Sequence, residues 1–167
     1  MGGRVADIAV APSRPWTIYV GYGTGGVFKT TNNLTTLAPV FDEQKVASIG
    51  AIAVSPRNPD LVWVGTGEGN GRNSSSWGDG VYRSDDGGST WRNVGLRDTK
   101  DVARIAIDPR NDDVVYAAAL GHLWGANEER GLYKTEDGGK TWAAVLRSAP
   151  GAGCVDVVLD PANPDVL

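Results

Sequence analysis

Residues 102–109, VARIAIDP, set a pattern that returns along the chain. VADIAVAP (5–12), IGAIAVSP (49–56) and CVDVVLDP (154–161) match it position for position. Their closing prolines, Pro12, Pro56, Pro109 and Pro161, stand 44, 53 and 52 residues apart. A short polar turn follows, RNPD at 57–60, RNDD at 110–113 and ANPD at 162–165. A second apolar run comes next: TIYVGYG (17–23), LVWVGTG (61–67) and VVYAAAL (114–120). A third is GGVFKTT (25–31), DGVYRSD (79–85) and RGLYKTE (130–136), and WAAVLR (142–147) closes the last full repeat. The runs are short, rich in β-branched and aromatic residues, and bounded by Gly, Pro, Asn and Asp, which is the signature of strands and turns. No stretch carries apolar residues at helical spacing, so almost no helix is expected.

Four short antiparallel strands in each repeat of about 50 residues, repeated radially, make a β-propeller blade. The spacing predicts an all-β chain with repeats over 4–47, 48–100 and 101–152, and the first strand of a fourth over 153–167. The expectation is therefore a partial propeller spanning 1–167, with strands over roughly half of the residues. The third turn is more specific. Ser84-Asp85-Asp86-Gly87-Gly88-Ser89-Thr90-Trp91 and Thr135-Glu136-Asp137-Gly138-Gly139-Lys140-Thr141-Trp142 share the pattern Ser/Thr-x-Asp-x-Gly-x-Thr-Trp. Thr30-Thr31-Asn32-Asn33-Leu34-Thr35-Thr36-Leu37 is a decayed copy. This pattern resembles the Asp box, the bacterial neuraminidase repeat, and the chain resembles the opening blades of large bacterial sortilin-like propellers. The resemblance implies an exported parent, extracellular or periplasmic, and a role in binding protein, peptide or glycan.

The box residues Ser84, Asp86, Gly88, Thr90, Trp91, Thr135, Asp137, Gly139, Thr141 and Trp142 are expected to be structural. A short aspartate accepts from the amides of its own turn, and glycine supplies the positive φ. The tryptophan is expected to wedge between neighbouring strands and to find a local acceptor for its indole N–H.

Composition excludes several classes. The net charge is −4, and no cluster of Lys and Arg marks a nucleic-acid surface. No apolar run approaches the ~20 residues needed to cross a bilayer. The start, Met-Gly-Gly-Arg-Val, shows no signal-peptide pattern. A literal G-x-G-x-x-G at 21–26 precedes a strand, whereas a dinucleotide site needs a helix there. With one histidine, no H-E-x-x-H and no P-loop, no metal or cofactor site is expected. Cys154 stands where Val5, Ile49 and Val102 stand in the other repeats, so a buried thiol packing as a small hydrophobe is expected. Tyr19, Trp63 and Tyr116 are equivalent to one another and are expected to pack blade on blade.

Two insertions between the second and third runs, 68–79 and 121–130, depart from the repeat. Strand connections alternate between the two ends of a blade, so the insertions are expected on the face of the blade-to-blade connections, opposite the Asp boxes. They supply the candidate ligand-binding residues Glu68, Asn70, Arg72, Asn73, Trp77, Asp79, His122, Trp124, Glu128 and Arg130. Tryptophans beside amides, carboxylates and arginines suit the gripping of sugars or peptides, and ordinary solvated loops have the same composition.

Two enzyme classes share Asp-box propellers. Sialidases need an Arg-Ile-Pro that is missing here. Xyloglucan-degrading enzymes carry an aspartate in a stretch resembling Thr-Asp-Ile-Gly-Gly-Ala-Tyr-Arg, and the similar stretch at 22–29 has Gly23 at that position. Glycoside hydrolysis ordinarily takes two carboxylates about 5 to 10 Å apart. Glu68 or Asp79 are the replacements within reach in sequence. The expectation is a non-catalytic binding scaffold without catalytic residues of its own. Its partners are a protein, peptide or glycan ligand and further blades, or other copies. The alternative is a glycoside hydrolase whose remaining catalytic residues lie outside this chain.

Overall fold

The second run of each repeat is apolar or small throughout, and such a strand needs cover on both faces. The computed structural model, which describes residues 3–71, 73–147, 149 and 151–167, meets that need by stacking three sheets. Blade 1 holds β1 (Val5–Val10), β2 (Ile18–Tyr22), β3 (Gly26–Thr30) and β4 (Ala38–Pro39). Blade 2 holds β5 (Ile49–Val54), β6 (Val62–Thr66), β7 (Val81–Ser84) and β8 (Arg92–Asn93). Blade 3 holds β9 (Val102–Ile107), β10 (Val115–Ala119), β11 (Gly131–Thr135) and β12 (Ala143–Leu146). Each is antiparallel with its strands in chain order. Register repeats as well: Ile18 faces Thr30, Val62 faces Ser84 and Val115 faces Thr135.

Period-two alternation sorts the core between blades. Val62 and Val64 of β6 turn back to meet Ala9, Tyr19, Val27 and Phe41 of blade 1. Trp63, between them, turns forward and packs with Val102, Ile105, Val115 and Ala117 of blade 3. Tyr19, Trp63 and Tyr116 all point forward in this way, and each lies under a cation of the neighbouring strand: Lys29 at 5.5 Å, Arg83 at 5.3 Å and Lys134 at 5.6 Å. Fully burying such a side chain stabilises by about 1.5–3 kcal/mol, so the blade interfaces carry the fold.

The strands cover about a third of the chain, below the half expected: β4 and β8 contain two residues each, and the insertions and residues 154–161 add no strand. One 3-10 turn, Arg97–Thr99, is the helical element among the described residues. No helix is long and apolar enough to cross a membrane.

Residues 154–161 correct a further expectation. They lie against blade 3, with Val157 buried among Tyr116, Ala118 and Leu132, yet they form no ladder. A strand is defined by a paired neighbour, and the described residues offer none. Their turn nevertheless closes as in the other repeats. Asp160 N–H donates to Val166 O at 3.0 Å, as Ala11 does to Thr17 (3.0 Å), Ser55 to Leu61 (3.0 Å) and Asp108 to Val114 (2.9 Å). Cys154 is half-buried at this open edge, whereas its counterparts Ile49 and Val102 are fully buried.

Candidate functional site

The three third-turn boxes form one hydrogen-bond pattern. Ser84 Oγ donates to Asp86 Oδ1 (2.8 Å) and accepts from Gly88 N–H (2.8 Å). Asp86 accepts from Thr90 N–H (2.8 Å) and Thr90 Oγ1 (2.6 Å). Thr135, Asp137, Gly139 and Thr141 repeat these bonds at 2.8, 2.9, 2.9 and 2.6 Å. The Thr90 and Thr141 donors hold the carboxyls of Asp86 and Asp137 down at about 2. Asn32 performs the same task in the first repeat, accepting from Thr36 N–H at 2.9 Å. These aspartates are held within their own turns.

The tryptophans differ from expectation. Trp91 Nε1 donates to Val40 O (2.6 Å) and Trp142 Nε1 to Val94 O (2.7 Å), so each indole ties its blade to the preceding one. Both are half-buried, standing edge-on to Phe41 at 5.2 Å and Trp63 at 6.3 Å. The acceptor lies across the interface because β4 and β8 end there.

On the other end of the sheets the insertions meet the blade connections. Ser48 Oγ donates to Ser76 O (2.7 Å), Gly78 N–H to Lys100 O (2.8 Å) and Arg130 Nη1 to Gly151 O (3.1 Å). The insertions of neighbouring blades also meet each other. The Trp77 ring stacks on the His122 ring at 5.9 Å with 26° between planes. Trp77 is 56 % exposed and Trp124 66 %, and Asn70, Asn73 and Glu128 are exposed on the same loops.

Other residues of the set are engaged. Arg130 clamps its own loop by donating to the carbonyls of His122 and Gly125, the latter at 2.8 Å. Asp79 is half-buried and accepts from Tyr82 Oη (2.9 Å) and Arg97 Nη1 (3.4 Å). Arg72 lies outside the described residues. Glu68 is buried, at 1 % exposure, and its Oε1 pairs with Arg4. A Cβ built on Gly23 would stand 2.9 Å from Glu68 Cδ, so this carboxylate occupies the space of a side chain at position 23. Sequence gave Glu68 as one replacement for the missing aspartate, but not that it lies over Gly23, because the contact joins two blades.

Sequence reasoning missed Asp101. It is fully buried in the connection between blades 2 and 3, and neither carboxylate oxygen has a hydrogen-bond partner among the described residues. Burial raises its pKa to about 7. Among the described residues, no group of three or more His, Cys, Asp or Glu could hold a metal ion.

No family model matches the chain. A xyloglucanase from Paenibacillus sp. is 27 % identical over 97 % of this chain and 16 % of that protein. An oligoxyloglucan-reducing end-specific xyloglucanase from Emericella nidulans is 32 % identical over 56 % of this chain and 10 % of that protein. Among solved structures, an ancestral GH74 enzyme is 28 % identical with a TM-score of 0.61, over 83 % of this chain and 18 % of that one. The chain thus spans about a sixth or less of the curated relatives it matches. It is a run of β-propeller blades, and those relatives are xyloglucanases.

Proposed function

We propose that this chain is a glycan-binding run of propeller blades that grips its ligand on the face bearing the insertions and supplies no chemistry of its own. The observation that carries this reading is the Trp77–His122 stack, two rings delivered by adjacent blades, with Trp77 exposed to solvent and His122 half-buried beneath it. Aromatic faces take up the apolar C–H surface of a sugar ring. The exposed Asn70, Asn73, Trp124 and Glu128 around the stack offer hydroxyl partners and a second platform. The names of the relatives favour a glycan over a peptide. The test is calorimetric titration with a xyloglucan heptasaccharide, a cello-oligosaccharide and an unrelated peptide. Trp77→Ala with Trp124→Ala should weaken glycan binding by about 2 kcal/mol at an unchanged melting temperature. Wild-type protein that binds no glycan, or binds the peptide alone, defeats the reading.

A second reading, glycoside hydrolysis, draws on one observation. The Glu68 carboxylate lies over Gly23, where the resembling motif carries its aspartate. With its charge balanced by Arg4, Glu68 suits a base or nucleophile better than an acid, and a second carboxylate must come from elsewhere. Release of reducing ends from xyloglucan by the full-length protein, lost in Glu68→Gln, would establish it over the binding reading.

A further inference from the structure

Where the first segments of the repeats converge, they leave a cavity of 250 Å³. Its wall repeats one position: Ala6, Gly50, Ala103 and Val155 each follow the first residue of their segment, and all four line it. Close approach dictates the smallest of them, since a Cβ on Gly50 would lie 2.2 Å from Val102 O. Small residues alone make only a hole. Glu68 gives this one a chemistry. It lines the cavity, its Oε1 is taken by Arg4, and its buried Oε2 has no hydrogen-bond partner among the described residues. A buried acceptor left without a donor is costly, and a ligand that brings one relieves that cost.

We propose that this cavity is a subsite for a single sugar ring whose hydroxyl donates to Glu68 Oε2. The proposal rests on the glycan reading above and says where one ring of that ligand goes. Arg4 already balances the carboxylate, so a neutral donor fits better than a second cation. Ala6, Ala103 and Val155 give the C–H face of a ring an apolar wall, and Asn70 adds an exposed amide. The volume is below the ~300–1,000 Å³ of pockets for drug-sized ligands, which leaves room for about one ring.

Ligand-observed NMR with methyl β-glucoside and methyl β-xyloside tests the cavity, and titration with xyloglucan heptasaccharide runs beside it. Ala103→Leu fills the cavity and should abolish single-ring binding. Glu68→Gln should weaken it about tenfold or more. Ala6→Leu fills the same space from blade 1 and replaces Ala103→Leu should that variant melt early. Single-ring binding that is absent in the wild type, or unaffected by both filling variants and Glu68→Gln, overturns the proposal. Heptasaccharide binding that depends on Trp77 but not on Glu68 or Ala103 would sink the cavity and keep the platform. Dependence on Ala103 and Glu68 with indifference to Trp77 would do the reverse.

Discussion

The first repeat contains a testable strain. Its turn makes the same backbone N–H bonds as the other two, with Leu34 N–H donating to Thr30 Oγ1 at 3.1 Å where Gly88 and Gly139 donate in blades 2 and 3. The backbone is therefore forced to the same shape, and Leu34 sits at φ 66° where its counterparts have φ 90° and 88°. A left-handed conformation costs a non-glycine residue about 1–2 kcal/mol. Leu34→Ala and Leu34→Gly remove the same half-exposed side chain, so the difference between them isolates the backbone. Glycine relieves the strain but loses about 0.5–1 kcal/mol through its freer unfolded chain. Leu34→Gly should thus be more stable than Leu34→Ala by about 0.5–1 kcal/mol, the reverse of the usual order. Urea unfolding reads this as a higher midpoint at equal slope, and melting as a rise of about 1–4 °C. An alanine variant as stable as the glycine variant would refute the strain argument. The reciprocal change tightens it: Gly139→Ala adds a Cβ 2.7 Å from Val94 Cβ at φ 88° and should cost about 2 kcal/mol.

Trp142→Ala should destabilise by about 2–3 kcal/mol, below the ~3–5 of a fully buried aromatic, while Trp142→Phe should cost about 1 kcal/mol for the bond to Val94 O; equal melting temperatures would reject the interface role. Stability should peak near pH 4. Below it the protein loses what Asp86 and Asp137 contribute, as pH falls from their unfolded values toward about 2. Above it Asp101, whose folded pKa of about 7 exceeds its unfolded one, lowers stability as pH climbs from about 4 to about 7. Asp101→Asn should flatten that second limb in pH-dependent urea unfolding, and a limb that persists excludes Asp101 as its cause. Ile8 is 56 % exposed whereas its counterparts Ile52 and Ile105 are 6 % and 5 % exposed, so the isolated chain should self-associate and Ile8→Lys should reduce this. Light scattering that finds a monomer at high concentration for both proteins would contradict it.

The sequence by itself determined the blades. Period-two alternation, the prolines that end each first strand and the repeated turn residues are local signals, and local hydrogen bonds such as Asp86 to Thr90 follow from neighbours in the chain. It also placed the insertions on one face, since antiparallel strands alternate their connections. What joins one repeat to the next was decided by tertiary structure alone. The indole of Trp142 could have found an acceptor in its own turn, and only the stacking of blades offers Val94 O. The burial of Glu68 over Gly23, the isolation of Asp101 and the meeting of Trp77 with His122 all join residues about 30 or more apart or depend on how connections pack. Sequence spacing contains no distance across a blade interface. The candidate residues meet at those interfaces, so the composition of the candidate site was legible in the sequence and its geometry was not.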